Sequence, residues 1–278
     1  MQQGFAGVAL HTWTLDTTPL PQALAAAKQA GYDAIELRRL DFRRCLDQGQ
    51  SNADVIDVIR AGGLKISAVG VEYGWLFAKG DESQRLFSVF RQQCQNAIAL
   101  DCKLMMSALG AGAGTLDDAV ASVQTAGNIA AEFGLRLTLE YQFQHAVVTS
   151  LDLLRDIIAR AGLPNVGLLL DAYHLQRGGL GARGFEHVDG DEIFYVQYSD
   201  VPNAPPNATP PIDRLSPGQG VVGWTELLRL LAEKNYTGYL SYEAPNPAHW
   251  ARPSYEAAKE GLDATRRVLA QAFPAASE

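Results

Sequence analysis

Short apolar segments alternate with helical segments along the whole chain, and this alternation limits the fold more than any other feature. The predicted strands cover residues 5–10, 33–38, 64–71, 103–108, 136–141, 166–171, 193–198 and 239–243. Strands that alternate with helices form parallel sheets whose faces are covered by those helices. Eight such units close naturally into a barrel, so the sequence predicts the α/β class.

The segments between the strands carry helix start and stop signals. Ser51 and Ser150 stand before apolar-periodic runs as N-caps, and Gly31 and Gly134 follow such runs as stops. The alternative fold is an open doubly wound sheet, which calls for a Gly-rich phosphate-binding turn after the first strand. Residues 11–14, His-Thr-Trp-Thr, do not provide that turn. We therefore predict one TIM (β/α)8 barrel domain over the 278 residues, 1–278.

Composition and charge exclude several classes of function. The chain has no apolar run long enough to span a bilayer, and residues 1–7 lack the pattern of a signal peptide. A net charge of -8 argues against nucleic acid or an anionic membrane surface as a partner. The three cysteines lack CxxC spacing, so they indicate neither a disulfide framework nor a thiolate zinc site. We expect a soluble, cytoplasmic protein that acts on a small molecule.

The sixth predicted strand is apolar from Val166 to Leu170 and then reaches Asp171. An ionised carboxylate in such surroundings costs on the order of several kcal/mol unless something compensates its charge. This stretch alone leaves two explanations open. Asp171 could cap the next helix by accepting backbone N–H bonds, or it could bind a metal or a cationic side chain.

Oxygen-bearing side chains lie at or near the ends of four consecutive predicted strands. They are Glu140, Asp171, Gln197 and Glu243. The carboxyl ends of barrel strands meet at one face, so we expect these groups to converge. Each one alone is equally well explained by an arginine partner or a backbone hydrogen bond. Together, three carboxylates and an amide without a thiolate favour a site for Mg²⁺, Mn²⁺ or Co²⁺.

The segments around these residues resemble the xylose isomerase-like TIM barrels, the sugar phosphate isomerase/epimerase superfamily. The matching segments are AGYDAIEL at 30–37, LTLE at 137–140, GLLLDAYH at 167–174, VQYSD at 196–200 and YLSYE at 239–243. The resemblance implies that a divalent metal is held by Glu140, Asp171, the residue at position 197 and Glu243. It also implies that the two glutamates move protons at a substrate carbon.

Position 197 departs from the family, because it is Gln where the family has His. In this respect the second half resembles the 3-dehydroshikimate dehydratase branch, as do VQYSDVP at 196–202 and RLSPGQG at 214–220. The resemblance implies that His174 contacts substrate and serves as the base in the dehydratases. It also implies that Arg214 binds substrate oxygens.

The loop after the third strand distinguishes this chain from those dehydratases. They grip a substrate carboxylate there with arginines, whereas this loop reads Glu72-Tyr-Gly-Trp75. Trp13, Glu72 and Trp75 are instead suited to bind a neutral polyol by stacking and hydrogen bonding. The sequence therefore favours a small polyhydroxy carbonyl compound as the substrate.

Several other polar residues admit two explanations. His11 ends the first strand and fits substrate binding and a structural role equally well. Glu36 ends the second strand and either faces the barrel mouth or pairs with a neighbouring arginine. Asp200 either supports the metal site or caps a loop. We place His145 in a loop without a catalytic role.

Three functions fit these residues. The first is a metal-dependent isomerase or epimerase, in which Glu140, His174 or Glu243 moves a proton next to a carbonyl. The second is a dehydratase that removes the same proton and then loses a β-hydroxyl group. The third is a barrel that binds a sugar or metabolite without turnover, although the complete ligand set with His174 favours catalysis. The substrate, the metal ion and a homo-oligomeric state stay open.

Overall fold

The eight strands close into a parallel barrel in chain order. The computed structural model describes residues 4–274, so the ends of the predicted 1–278 domain, and the first residues of segment 1–7, lie outside it. The strands are β1 Gly7–His11, β2 Ala34–Leu37, β3 Lys65–Gly70, β4 Leu104–Ala108, β5 Arg136–Glu140, β6 Val166–Asp171, β7 Ile193–Tyr198 and β8 Tyr239–Tyr242. Pairing of β1 with β8 closes the sheet. The prediction of a TIM barrel is confirmed.

Helices surround the sheet in the described part of the chain. They are α1 Leu20–Ala30, α2 Arg39–Asp47, α3 Asn52–Gly62, α4 Gly80–Ala99, α5 Leu116–Glu132, α6 Leu151–Ala161, α7 Ala172–Arg177, α8 Trp224–Glu233, α9 Pro247–Trp250 and α10 Ser254–Ala272. Ser51 and Ser150 accept N–H bonds at the starts of α3 and α6, as their capping pattern predicts. Across residues 4–274, no helix combines the length and the apolar character needed to cross a membrane.

Helix α2 was not predicted from the sequence. Its residues are mostly charged, so its apolar periodicity is weak. Asp41 stabilises the start of this helix, because its carboxylate accepts the Arg38 N–H at 2.7 Å and the Thr12 hydroxyl at 2.5 Å. The start of this helix is thus stabilised by the cap at Asp41 and by its contact with Thr12 in the loop after β1, and not by an apolar stripe.

The interior of the barrel contains a small apolar cluster. It consists of Ala68, Met106, Leu169 and Tyr195, each at most 2% exposed. The Tyr195 hydroxyl donates to the hydroxyl oxygen of Ser67 at 2.7 Å, which satisfies the polar tip inside the barrel. Met106 also lines the pocket at the mouth of the barrel, so this cluster reaches the pocket through Met106.

Asp200 anchors the long loop between β7 and α8. Its carboxylate is fully buried and accepts the N–H groups of Val201 at 2.9 Å, Gly218 at 2.7 Å and Val222 at 3.0 Å. It also accepts the indole N–H of Trp224 at 2.9 Å. Of the two explanations for Asp200, the structure therefore supports the loop cap.

Replacing Asp200 with Ala should destabilise the protein strongly. The change leaves four donors without an acceptor, three of them on the buried residues Val201, Val222 and Trp224, so we expect the free energy of unfolding to fall by about 3 kcal/mol or more. Urea denaturation followed by circular dichroism measures this change. Asp200→Asn retains one acceptor oxygen and should lose less. A loss below about 1 kcal/mol for the alanine variant would show that the four bonds do not stabilise the loop.

Candidate metal and substrate site at the barrel mouth

The four strand-end residues identified from the sequence are all buried at the same end of the barrel. Glu140 ends β5, Asp171 ends β6, Gln197 lies in β7 and Glu243 follows β8. Their exposed fractions are 4%, 1%, 1% and 5%. Asp171 and Gln197 are partners in the β6–β7 register, which places them side by side. The closed barrel thus collects side chains that are far apart in the chain.

A pocket of about 390 Å³ opens at this end of the barrel. Strand-end groups form its deeper part and the loops after the strands form its rim. The residues that line it are Trp13, Tyr73, Met106, Ala108, Gly110, Ala111, Gly112, Glu140, Gln142, Gln144, His145, Ala146, His174, Thr209, Pro210, Arg214 and Glu243. A pocket of this size encloses a sugar-sized molecule.

Glu140, Asp171 and His174 form a compact buried group. Their potential ligand atoms all lie within 4.8 Å of one another. His174 Nε2 is 3.4 Å from Glu140 Oε1 and 3.9 Å from Asp171 Oδ2. Burial, with some help from Arg214, lowers the pKa of His174 to about 3, so its imidazole is neutral at physiological pH. A neutral imidazole can serve as a ligand or as a base.

Asp171 fulfils both of the roles that its sequence context left open. Its Oδ1 accepts the Tyr173 N–H at 2.9 Å, which caps α7, while its Oδ2 accepts a bond from Arg214 Nη1 at 2.6 Å. Because α7 starts directly after β6, His174 lies one helical turn from Asp171 at the pocket. The Asp171 cap starts this helix at Ala172.

Arg214 lies inside the acidic group. Its guanidinium is 2% exposed, and Nη1 also donates to Glu243 Oε2 at 2.7 Å. Nη2 lies 3.3 Å from His174 Nε2, an arrangement in which the imidazole accepts and carries its proton on Nδ1. Burial disfavours the charge of Arg214, but Asp171 and Glu243 outweigh it and raise its pKa above the ordinary value. The structure therefore places Arg214 against the carboxylates as well as at the pocket wall.

The two glutamates at the mouth are hard to ionise together. Burial raises the pKa of Glu140 well above its ordinary value, and the nearby Glu243 and Asp171 raise it further. Burial also raises the pKa of Glu243, although Arg214 partly offsets this effect. A divalent cation among these groups would favour their ionised forms, because it supplies the charge that burial withholds.

The side chain of Gln197 is hydrogen-bonded to Glu36. Gln197 Nε2 donates to Glu36 Oε1 at 2.8 Å, and the Ser241 hydroxyl donates to Glu36 Oε2 at 2.5 Å. The Arg38 guanidinium bonds to Asp16 and Asp41, and both Glu36 oxygens have other partners, so the alternative of an arginine partner for Glu36 is wrong. Burial is the main reason why the pKa of Glu36 rises to about 8.

His11 links two of these carboxylates. Its Nδ1 accepts the Trp13 N–H at 3.1 Å and lies 3.3 Å from Glu243 Oε1, while Nε2 lies 3.8 Å from Glu36 Oε1. Burial lowers the pKa of His11 well below its ordinary value, so the ring is neutral. His11 is 1% exposed and sits beneath the pocket, which Trp13 lines directly. Of its two sequence explanations, these contacts fit the structural one.

Two residues expected to contact substrate lie elsewhere. Trp75 is fully buried, and its indole N–H donates to the Ser107 hydroxyl at 2.9 Å while its rings pack near Phe87 and Phe90. The gain from burying the indole against α4 outweighs exposing it at the pocket.

Glu72 is the other displaced residue. Its carboxylate accepts a bond from Arg85 at 2.6 Å on the outer surface. The loop after β3 contributes Tyr73 to the pocket instead. The loop was therefore identified correctly, but the residue that it presents was not.

The loop after β5 was not predicted from the sequence to line the pocket. Gln142, Gln144 and His145 line the pocket, although His145 was expected to have no role. His145 Nδ1 accepts the N–H groups of Val147 at 3.1 Å and Val148 at 2.8 Å, so its Nε2 carries the proton. Within residues 4–274 this N–H has no hydrogen-bond partner. The rule that loops after barrel strands build the site could have identified these residues.

The family model of the xylose isomerase-like TIM barrel matches residues 24–268. The chain belongs to this family. The resemblance stated from the sequence motifs is therefore confirmed. A family member named inosose isomerase, from Bacillus velezensis, is 26% identical over 94% of this chain and 95% of its own.

Other relatives represent the second chemistry. The 3-dehydroshikimate dehydratase of Pseudomonas aeruginosa is 27% identical over 94% of this chain, which spans 41% of that protein. A crystal structure described as the IolI protein with a bound zinc atom has a TM-score of 0.85 at 20% identity, covering 97% of this chain and all of the other. That structure shows that the two proteins share a fold. The sequence relatives are named as enzymes of both classes that the motifs suggested.

The residues at the mouth fit a divalent cation. Glu140, Asp171 and His174 present close ligand atoms, and the buried Gln197 Oε1 has no hydrogen-bond partner among residues 4–274. Carboxylate, amide and imidazole donors without a thiolate suit hard or borderline divalent ions. His174 thus belongs to the potential ligand group, although the sequence assigned it only to substrate and proton transfer.

Proposed function

We propose that this protein is a divalent-metal-dependent isomerase or epimerase that acts next to the carbonyl of a neutral polyhydroxy substrate. The observation that carries the proposal is the buried group of Glu140, Asp171, Glu243 and neutral His174, in which Glu140, Glu243 and His174 line a sugar-sized pocket. Buried carboxylates beside a neutral imidazole can act as general acids and bases in proton transfer. The isomerase name of the relative from Bacillus velezensis supports this reading.

Glu140, Asp171, Gln197 and Glu243 would hold the cation, as the family resemblance implies. When bound, a divalent ion polarises a substrate carbonyl and makes the neighbouring C–H more acidic. The residues that hold or move the proton are then those of the chain. Glu140 and Glu243 come from β5 and from the residue after β8, on separate sides of the barrel, so they can approach a substrate from different faces.

His174 is the third candidate for proton transfer. Its Nε2 lies 3.4 Å from Glu140 Oε1 and carries no proton when it accepts from Arg214, so it can take up a proton when that bond is released. Arg214 keeps the ring in this tautomer and also contacts both Asp171 and Glu243. We assign Arg214 to orientation of the acidic group and to substrate oxygens at the pocket wall.

The pocket lining favours a neutral substrate. Trp13 and Tyr73 offer ring faces, and Gln142, Gln144 and His145 offer neutral hydrogen-bonding groups. Among the lining residues the one arginine, Arg214, already bonds two carboxylates. A substrate carboxylate would therefore lack a free cationic partner there, and burying an unpaired charge is costly. Isomerisation or epimerisation of a neutral substrate is therefore favoured over dehydration of an acidic one.

Dehydration is the second candidate, and Gln197 is the observation that favours it. Its presence at the family's His position resembles the dehydratase branch, and the relative from Pseudomonas aeruginosa carries that name. A barrel that binds a metabolite without turnover is the third. These alternatives make different products, so one experiment distinguishes them.

Hydrogen exchange in D₂O tests the proposal. We expect the metal-loaded protein, given a panel of neutral ketoses and inososes, to place deuterium on a carbon next to the carbonyl without loss of water. NMR and mass spectrometry detect this exchange. A parallel sample receives 3-dehydroshikimate and should stay unchanged. A new conjugated ultraviolet absorbance in that sample would instead support the dehydratase, and no reaction in either sample would support the binding protein.

A further inference from the structure

Glu36 is a buried carboxylate that the proposed reaction does not use. It lies in β2, is 0% exposed, and uses both oxygens in hydrogen bonds. Its partners are Gln197 on β7 and Ser241 on β8, which are 161 and 205 residues away in the chain. A buried carboxylate with such distant partners calls for an explanation.

The contact between Glu36 and Gln197 fixes which end of the amide faces which way. Both Glu36 oxygens accept a hydrogen bond, one from Gln197 and one from Ser241, so the group pairs with the NH₂ end of the glutamine and not with its carbonyl end. Gln197 Nε2 is the atom that faces Glu36, at 2.8 Å. The amide oxygen must therefore lie on the side away from Glu36.

That amide oxygen has no hydrogen-bond partner within residues 4–274, although Gln197 is 1% exposed. Leaving a buried carbonyl oxygen unpaired costs about 1–3 kcal/mol. The cost is explained if the oxygen is kept free for a ligand. The register neighbour of Gln197 on β6 is Asp171, whose Oδ2 belongs to the acidic group.

We infer that Glu36 is a positioning residue, which holds the Gln197 amide so that its oxygen is presented to a divalent cation. The inference rests on the proposed function, because it takes Gln197 as a ligand. It adds a residue on β2 to a site otherwise built from the second half of the barrel. Ser241 supports Glu36 from the other side and leaves Oε1 for Gln197.

The inference is tested by exchanging the carboxylate at position 36 and the amide at position 197. Protein freed of metal with a chelator is titrated with Mn²⁺ alone, and calorimetry gives the affinity. In Glu36→Gln, the new amide can donate to the Gln197 oxygen and occupy it, so we expect Mn²⁺ affinity to fall by about 10- to 100-fold. The double variant Glu36→Gln with Gln197→Glu reverses the pair. The amide introduced on β2 then donates its NH₂ to one oxygen of the carboxylate introduced on β7 and leaves the other oxygen free, so Mn²⁺ binding should return.

Ser241→Ala is the matched control, because it removes the other hydrogen bond of the same carboxylate and leaves the Gln197 contact intact. We expect its Mn²⁺ affinity to change by less than about threefold. Thermal melts check that each variant is folded. If Glu36→Gln fails to fold, the double variant decides, since a folded double variant that does not bind Mn²⁺ overturns the inference.

Two outcomes separate this inference from the proposed function. Unmodified protein that binds Mn²⁺, with the same affinity in Glu36→Gln, would overturn the positioning role and leave the metal site intact. Unmodified protein that does not bind Mn²⁺ would overturn both. Loss in the single variant and recovery in the double variant would support both, because general damage to the barrel would not be repaired by a second change.

Discussion

Replacing Glu243 with Gln should leave the barrel folded and lower kcat by about 10³-fold or more. Glu243 is 5% exposed, and its Oε2 accepts a bond from Arg214 at 2.7 Å. The amide of the variant has nearly the same size, and its oxygen can still accept from Arg214, so the fold should persist. It cannot take up and return a proton, however, and it is a weaker ligand for a cation.

Steady-state kinetics with a substrate identified by deuterium exchange measure this effect, and circular dichroism reports the fold. Glu132→Gln is a suitable control, because that glutamate pairs with Arg91 on the surface, away from the pocket. We expect the control to keep full activity. Full activity in Glu243→Gln itself would disprove the proposed role of Glu243 in proton transfer.

Removing divalent metal with a chelator should abolish turnover, and adding back Mn²⁺, Mg²⁺ or Co²⁺ should restore it. The physical reason is the crowding of Glu140 and Glu243 with Asp171, because burial and the neighbouring carboxylates raise the pKa of both glutamates. Arg214 supplies a single positive charge against them. Without the metal, no Lewis acid would make the C–H next to the substrate carbonyl acidic enough to lose its proton.

The chelator experiment has a second readout in thermal stability. A ligand that binds the folded state alone stabilises it by about 2.7 kcal/mol when present at 100 times its Kd. We therefore expect Tm to rise when metal is restored. Elemental analysis confirms that the chelated sample is free of metal. Undiminished turnover in such a sample would exclude the metal-dependent mechanism.

Much of the fold was predictable because local signals agreed with the global pattern. Caps such as Ser51 and Ser150 and the apolar strands between helices indicated the alternation that closes a barrel. The convergence of Glu140 and Asp171 followed from a rule about strand ends that needs no tertiary detail. Helix α2 escaped prediction because a local cap at Asp41, rather than an apolar stripe, defines its start.

The rest of the site depends on contacts that sequence spacing does not reveal. The path of the loop after β3 and the space beside Phe90 decide where Trp75 packs. The indole is therefore buried in the core, and Tyr73 of the same loop lines the pocket. The bond between Gln197 and Glu36 exists only because the barrel brings β7 opposite β2. The motifs predicted which strand-end residues are buried at one end of the barrel, but not how their side chains pair.

The loop anchored by Asp200 has a consequence for how this protein could change its substrate over evolution. Its two ends are fastened at Asp200, while residues 203–207 between them are exposed and Thr209 and Pro210 reach the pocket rim. Insertions or substitutions in the outer stretch would leave the fastened ends, and hence Arg214, undisturbed. Substrate specificity could thus change through substitutions in a short surface segment, while the arrangement of the buried side chains at the pocket is kept.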